Sequence, residues 1–533
     1  IAESSRGIPV ARRDVLADRG RLLWGSFLAM IAVGMGFSAR AAVLGTWGAQ
    51  YGFTKAELGV ITGFGLTGFG LTVLIFSAMV DRWGYGLMLT LTFGLHVISG
   101  IVTLLATPAF HALGKDATYW CLLVGTTIFS VGNGAAEAAV NPLIAALYPN
   151  EKTHRLNVLH AGFPGGLVLG ALVGVVLAGQ RWEVILLMYL VPTALYGALM
   201  FGQSFPLPLA KAHQIKLGEM MRQFRSPLLL CLLVLMAMIG FVELGTDSWI
   251  TNITGTLLND PTKGLYLFIW TSSLMFALRF FAGPIVERIS PLGLLFGAAL
   301  LGTAGLSLLS AAGLEFDVGT IVASAVIAAT IYGVGKTFYW ATMLGVTAEQ
   351  FPAGGALVIG AMGCIGNLSA GFLGGPTIGF LQDHFASRQL QQSSPATYER
   401  YRADEEDTLL FVFHTRGLDG SKVAVLQNNG QQLRQDLEAL KQSGKRDANI
   451  ERLQSWWSTA QREAAQDLEP VSEATLYGGR MALRWTAAVP AAMAVGFFLL
   501  ILYFRSIGGY RQVHLKAADA QAVAYSAAVG DDA

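Results

Sequence analysis

Apolar stretches long enough to cross about 30 Å of hydrocarbon, which takes roughly 20 helical residues, recur twelve times in this chain. They lie near 22–47, 57–80, 86–107, 118–147, 156–179, 182–201, 227–250, 264–286, 292–313, 319–348, 354–381 and 481–505. In hydrocarbon every backbone polar group must be satisfied inside its own segment, so each run is read as a helix and the chain as an all-α membrane protein whose partner is the lipid bilayer. With 53% hydrophobic and 13% charged residues, the 533-residue chain is no ordinary soluble enzyme. A net charge of +1 without a basic domain gives no reason to expect nucleic-acid binding. Cys121, Cys231 and Cys364 fall inside separate apolar runs and are read as packed thiols. The N-terminal stretch lacks the short apolar core of a cleavable signal, so the first run is read as a retained span; whether residues precede Ile1 stays open.

With the N-terminus inside, sixteen Lys and Arg residues fall on the inner side, against Lys55, Lys115, Arg181 and Lys263 on the other. That bias predicts cytoplasmic N- and C-termini. The expected organisation is a cytoplasmic tail 1–21, a six-helix bundle 22–201, a cytoplasmic linker 202–226, helices 7–11 over 227–381, an insertion 382–480, helix 12 over 481–505 and a cytoplasmic tail 506–533.

The second half echoes the first. Val80-Asp81-Arg82 after span 2 matches Val286-Glu287-Arg288 after span 8 at an offset of 206, and the Gly132/Pro149 pair matches Gly335/Pro352 at 203. Two anchors at nearly one offset imply a duplicated six-helix unit, the plan of transporters that hold substrate at the midplane between rocking repeats.

The stretch SAMVDRWGYG supplies the Asp81, Arg82 and Gly84 of the loop signature between spans 2 and 3 of the major facilitator superfamily, with Ser77, Tyr85 and Gly86 departing from it. The chain resembles that superfamily, which implies two pseudo-symmetric six-helix bundles, the major facilitator fold. By the resemblance Asp81 holds the halves together on the cytoplasmic side, with Glu287 and Arg288 as its copy. EAAVNP and RLNVLHAGF, carrying Glu137, Asn141, Pro142, Arg155, Leu156, Asn157 and His160, resemble the fucose and glucose permeases, the fucose:proton symporter family. Those permeases also use a span-1 acid where this chain has Arg40, so neither two-carboxylate proton coupling nor fucose carries over directly.

Glu137 is placed near mid-membrane with Asn141 one turn on along the same face. An ionisable side chain at that depth is a functional candidate by default, and the two together suit sugar hydroxyls or a coupled proton. Arg40 and Lys336 are expected to neutralise Glu137 or Glu243 or to bind an anionic solute, lining one cavity with Glu137. Glu243 is similar to the span-7 Glu of the sugar permeases; Asp247 reads as solvated near the outer end. Arg279 reads as a gate or scaffold residue. Tyr339, Trp340 and Asn367 are further cavity candidates, His160 reads as a proton relay or a structural imidazole, and Trp47 and Trp249 as interfacial anchors.

Residues 383–475 hold 26 of the 71 charged residues. They read as an extracytoplasmic, mainly helical insertion between helices 11 and 12, with a helical hairpin in its later part, acting as a lid, a docking surface or decoration. No nucleotide-binding GxxxxGK[ST] loop and no catalytic or metal-ligand constellation occurs, so neither ATP chemistry, an enzyme nor a cofactor is expected. The chain is read as a secondary active transporter importing a small polar solute, most simply a sugar, with a proton or sodium ion as coupling ion. The alternatives are a carrier of an anionic solute such as a sugar acid, or a transporter-like sensor signalling through its outer insertion. A monomer in a bacterial inner membrane is expected.

Overall fold

The computed structural model describes residues 10–51, 53, 55–312, 318–409, 412–443 and 447–515. Arg6 and Lys516, counted for the orientation, lie outside them, as does most of the expected C-terminal tail. Helix α1 runs Val10–Tyr51, α2 Lys55–Trp83, α3 Tyr85–Leu113, α4 Lys115–Leu147, α5 Lys152–Val176 and α6 Trp182–Met200. After short linker helices at Leu209–Ala212 and Leu217–Gln223 come α7 Pro227–Leu257, α8 Pro261–Arg279, α9 Ala282–Ala311, α10 in two segments Val318–Lys336 and Tyr339–Gln350, α11 Pro352–Ser393 and α12 Ala464–Ser506. Among the described residues, nine of these helices are long and apolar enough to cross a membrane. Helix α1 starts at Val10, well before the apolar run, so part of the expected tail is helical.

Helices α1–α6 pack with one another, as do α7–α12, and the halves meet along α2/α11 and α5/α8, with α4 against α11 and α10 against α5. Small residues let these backbones approach. A side chain on Gly34 of α1 would strike the Phe163 carbonyl of α5, and one on Gly360 of α11 would strike Ser77 of α2. Such contacts drive helix association where lipid removes the hydrophobic difference between helices.

Several helices depart from regularity, each for a visible reason. In α9, Ser290 takes a left-handed φ of 64° ahead of Pro291, so a short helix carrying Glu287 and Arg288 turns before the long one. Helix α10 breaks at Thr337–Phe338. Helices α7 and α11 contain π-helical turns at Phe241–Gly245 and Ala370–Gly374, and these pack together through Gly245 and Gly374.

The charged block differs from a plain loop. Helix α11 continues to Ser393 and α12 begins at Ala464, so the block is carried on two helical extensions packed side by side through Gly478 and Ala386. Between them lie helices Pro395–Tyr401, Gly420–Gln427, Gln431–Ser443 and Ala448–Ala460, and a small antiparallel hairpin, Asp407–Leu409 with Phe413–Thr415. The Gln431–Ser443 and Ala448–Ala460 pair is the helical hairpin read from sequence, with Leu433 and Trp457 in its own apolar cluster.

Candidate functional site

Every residue of α4 from Gly132 to Leu147 is buried, because this stretch runs through the middle of the molecule and touches both halves. Glu137 projects from it toward Val73 of α2 and Gly363 of α11. Its Oε2 lies 3.3 Å from where a side chain on Gly363 would begin, and that oxygen has no hydrogen-bond partner among the described residues. One turn along α11, Gly366 leaves room for the Trp340 ring, whose Nε1 is likewise buried and unpartnered. Asn367 donates from Nδ2 to the Gly363 carbonyl at 2.9 Å and leaves its Oδ1 unpartnered. Buried polar groups are normally satisfied. A carboxylate oxygen, an indole N–H and an amide oxygen left unpartnered on residues of α11 or packed against it are therefore, among the described residues, a strong ligand signal.

Asn141, one turn beyond Glu137, meets His160 of α5, the imidazole Nε2 lying 2.9 Å from the amide oxygen. Asn157 crosses the seam, donating from Nδ2 to Thr342 Oγ1 of α10 at 3.1 Å. The permease-like motif thus forms the joint between α4, α5 and α10.

In the second half four buried charges form two neighbouring pairs. Glu243 Oε1 accepts from Arg279 Nη2 at 2.9 Å, and Asp247 Oδ1 accepts from Lys336 Nζ at 2.5 Å. The break in α10 organises them. Lys336 ends the first segment, where a helix terminus favours positive charge, and Glu243 Oε2 accepts the backbone N–H of Trp340 at 3.1 Å at the start of the second, where it favours negative charge. Arg279 also donates Nε to the Thr337 carbonyl exposed by the break, at 2.7 Å, and Nη1 to the His160 carbonyl of α5, at 2.6 Å.

The expected meeting of Glu137, Arg40 and Lys336 does not occur. Arg40 points into the first half, with Nη2 donating to Ser99 Oγ at 2.9 Å, Nη1 to the Gly36 carbonyl at 3.1 Å, and its guanidinium over the Phe129 ring at 3.8 Å. Lys336 is taken by Asp247, which is largely buried rather than solvated. Equal depth along two helices says nothing about azimuth, and each residue turns a helix by about 100°. Tyr339 turns away too, its hydroxyl donating to the Ala298 carbonyl of α9 at 3.0 Å. Trp47 is fully buried against Trp182, and Trp249 donates to the Gly375 carbonyl, so neither is a free interfacial anchor.

At one end of the molecule the halves are fastened together. Asp81, followed by Arg82 and the turn at Gly84 with φ 85°, sits against the start of α11, its Oδ2 3.3 Å from where a side chain on Gly355 would begin. Glu287 and Arg288 are exposed; the corresponding contact on their side is made by the Gly283 N–H, which donates to His154 Nδ1 at 3.0 Å. Lys152 Nζ donates to the Ala348 carbonyl at 3.2 Å, and Thr153 Oγ1 to Glu349 Oε1 at 2.6 Å. Tyr510, beyond α12, donates to the other oxygen of Glu349 at 2.6 Å. The sequence reading missed Glu349, Thr153 and Tyr510, which lie at helix ends where a polar residue is unremarkable. It also missed the Asp247–Lys336 pair, although the four-residue spacing of Glu243 and Asp247 put both acids on one helix face.

The comparisons agree with this architecture. A sequence model described as Major Facilitator Superfamily matches residues 26–375. Among solved structures, the proton:xylose symporter XylE bound to 6-bromo-6-deoxy-D-glucose matches with a TM-score of 0.59 at 15% identity, over 69% of this chain and 89% of that one. A single-residue variant of the E. coli fucose:proton symporter FucP matches with a TM-score of 0.55 at 16% identity, over 69% and 93%. A partially occluded inward-open XylE from E. coli gives 0.52 at 13%, over 67% and 92%. The comparison with curated proteins gives no match. Two helical halves meeting along α2/α11 and α5/α8, with a family match over most of the chain, place it plainly: this protein belongs to the Major Facilitator Superfamily.

Proposed function

We propose that the protein is a secondary active transporter that carries a small polar solute, a sugar, by alternating access, with proton coupling through Glu137. The observation that carries the reading is the buried Glu137 carboxylate, whose unpartnered Oε2 lies against Gly363 of α11, the helix that also bears the unpartnered Asn367 Oδ1 and packs on the Trp340 ring. A buried charge without a partner is costly, so such a group holds a proton or takes hydroxyls from a ligand, and an indole face suits the C–H face of a sugar ring. The sugar:proton symporters among the structural neighbours support the same reading at the level of fold. Twelve crossings, cytoplasmic termini, an insertion on the opposite side and a monomer complete the proposal.

An anionic solute is the second reading. Its two cations are otherwise engaged, Lys336 by Asp247 and Arg40 by Ser99 and the Phe129 ring, which weighs against it. The deciding experiment is uptake of a panel of sugars and sugar acids into proteoliposomes with and without an inward proton gradient. Gradient-driven accumulation of a neutral sugar supports the proposal. Accumulation of sugar acids alone favours the anion carrier, and binding without accumulation a sensor.

A further inference from the structure

Helix α5 carries Pro164 in its interior. Proline has no backbone N–H, so it cannot donate to the carbonyl four residues back, which is that of His160. In a membrane span such a freed carbonyl must find another donor. Here the donor comes from the other half of the molecule: Arg279 at the end of α8 gives Nη1 to the His160 carbonyl at 2.6 Å. The surrounding contacts fit a built seam. A side chain on Gly165 would collide with Phe276 of α8, and Phe276 and Phe280 pack on Phe27 of α1. The guanidinium is held from behind by Glu243 of α7 and by the Thr337 carbonyl at the break in α10.

We propose that Pro164 is a positioning residue for alternating access: by emptying the His160 carbonyl it creates the acceptor through which Arg279 ties α5 to α8, and this tie must release when the halves rock apart along that seam. Pro142 of α4 gives an internal contrast. It frees the carbonyl of Ala138, yet that carbonyl takes no bond from the other half among the described residues. Of these two prolines, only the one in α5 is coupled to a cross-half donor. Pro164→Ala would return an N–H to α5, and the His160 carbonyl would then be shared between its own helix and Arg279.

The test uses the full chain in liposomes, with Cys121, Cys231 and Cys364 replaced by Ser and spin labels on cysteines at Glu151 and Ile289, both exposed and at the ends flanking the seam. The distance distribution is compared for the parent, Pro164→Ala, Pro142→Ala, the Glu243→Gln/Arg279→Gln double variant, and that double variant carrying Pro164→Ala. Removing both charges of the pair avoids a stranded buried ion. Because a hydrogen bond from a charged donor shifts an equilibrium by about tenfold, Pro164→Ala is expected to raise the separated population severalfold to tenfold, with Pro142→Ala near the parent. In the charge-free background Pro164→Ala should add nothing, since its only effect runs through Arg279. The proposal is overturned if Pro164→Ala leaves the distribution unchanged, or if its effect persists in full without Arg279, which would make it a matter of helix shape alone. Should Pro164→Ala fail to fold, Pro164→Ser is read in the same cycle.

Discussion

Glu243 spans the break in α10, taking the guanidinium of Arg279 on one oxygen and the backbone N–H of Trp340 on the other. One carboxylate on α7 therefore fixes the end of α8 and the start of the second α10 segment, at the residue whose ring packs on Gly366 of α11. The π-helical turn at Phe241–Gly245 puts Glu243 where this is possible, an irregularity of the kind that marks functional helices.

Removing Glu243 alone should be severe. Glu243→Ala leaves Arg279 buried without its counter-charge, at a cost of roughly 3–5 kcal/mol, whereas neutralising both partners costs much less. The check is the midpoint of denaturant unfolding in detergent, where Glu243→Gln/Arg279→Gln should lie closer to the parent than Glu243→Ala does. Equal losses in the two variants would show that the pair acts through shape and not through charge.

Trp340 offers a finer division. Trp340→Phe keeps an aromatic side chain but loses the unpartnered Nε1–H together with the distal ring edge that packs on Gly366, so a bound sugar should lose one hydrogen bond and at least about 3- to 10-fold in affinity. Trp340→Ala loses the ring as well and should bind more weakly still. Isothermal titration of the best transported sugar decides it, and unchanged binding by Trp340→Phe would remove the N–H from the site.

The insertion has its own internal anchor. Asp467, fully buried, accepts Thr397 Oγ1 at 2.8 Å and two donors of Arg400, at 2.8 Å and 2.5 Å. Asp467→Ala strands these donors and should loosen the block by about 2–3 kcal/mol, seen as faster tryptic cleavage within 394–463. If the block is not part of the transport cycle, uptake by the loosened variant stays near the parent level. Loss of uptake in a correctly inserted Asp467→Ala protein would tie the block to the mechanism.

Much of this was legible from sequence because lipid imposes a one-dimensional code. Hydropathy located the helices, and a lone carboxylate inside an apolar run singled out Glu137, which is buried. Azimuth was not legible: Arg40 and Glu137 were expected at one depth and in one cavity, yet Arg40 faces Ser99 and Phe129. The pairings Lys336–Asp247 and Glu243–Arg279 also depend on breaks in α7 and α10 that regular helical spacing cannot foresee. The strap beyond α12 escaped because Tyr510 and Gln512 carry no periodic signal.

That strap yields a further expectation. Gln512 Nε2 donates to the Pro149 carbonyl at 2.5 Å, the Val513 N–H to the Glu349 carbonyl at 2.9 Å, and Tyr510 to the Glu349 side chain, so the segment crosses the seam where Thr153 meets Glu349. Burial, and next the neighbouring Glu349 carboxylate, hold the Tyr510 phenol well above its ordinary range, so it remains a donor at any working pH. Tyr510→Phe combined with Gln512→Ala should weaken closure at this end and raise labelling of a cysteine at Pro149 by a few fold, one hydrogen bond of this kind being worth about 1 kcal/mol. Unchanged labelling would make the strap a passive covering.

The last prediction concerns Glu137 itself. If it carries the coupled proton, Glu137→Gln fixes the neutral form while keeping size and hydrogen-bonding capacity. Uphill accumulation driven by a pH gradient should then disappear, while exchange of external labelled sugar for preloaded sugar continues at a comparable rate, because that exchange needs no net proton movement. Three outcomes separate the roles. Lost accumulation with preserved exchange assigns Glu137 to coupling. Loss of both, with sugar no longer bound, makes it a solute ligand. Accumulation that persists in Glu137→Gln moves coupling elsewhere, and the next carboxylates to test are Glu243 and Asp247, both held in ion pairs that a proton or a sodium ion would have to open.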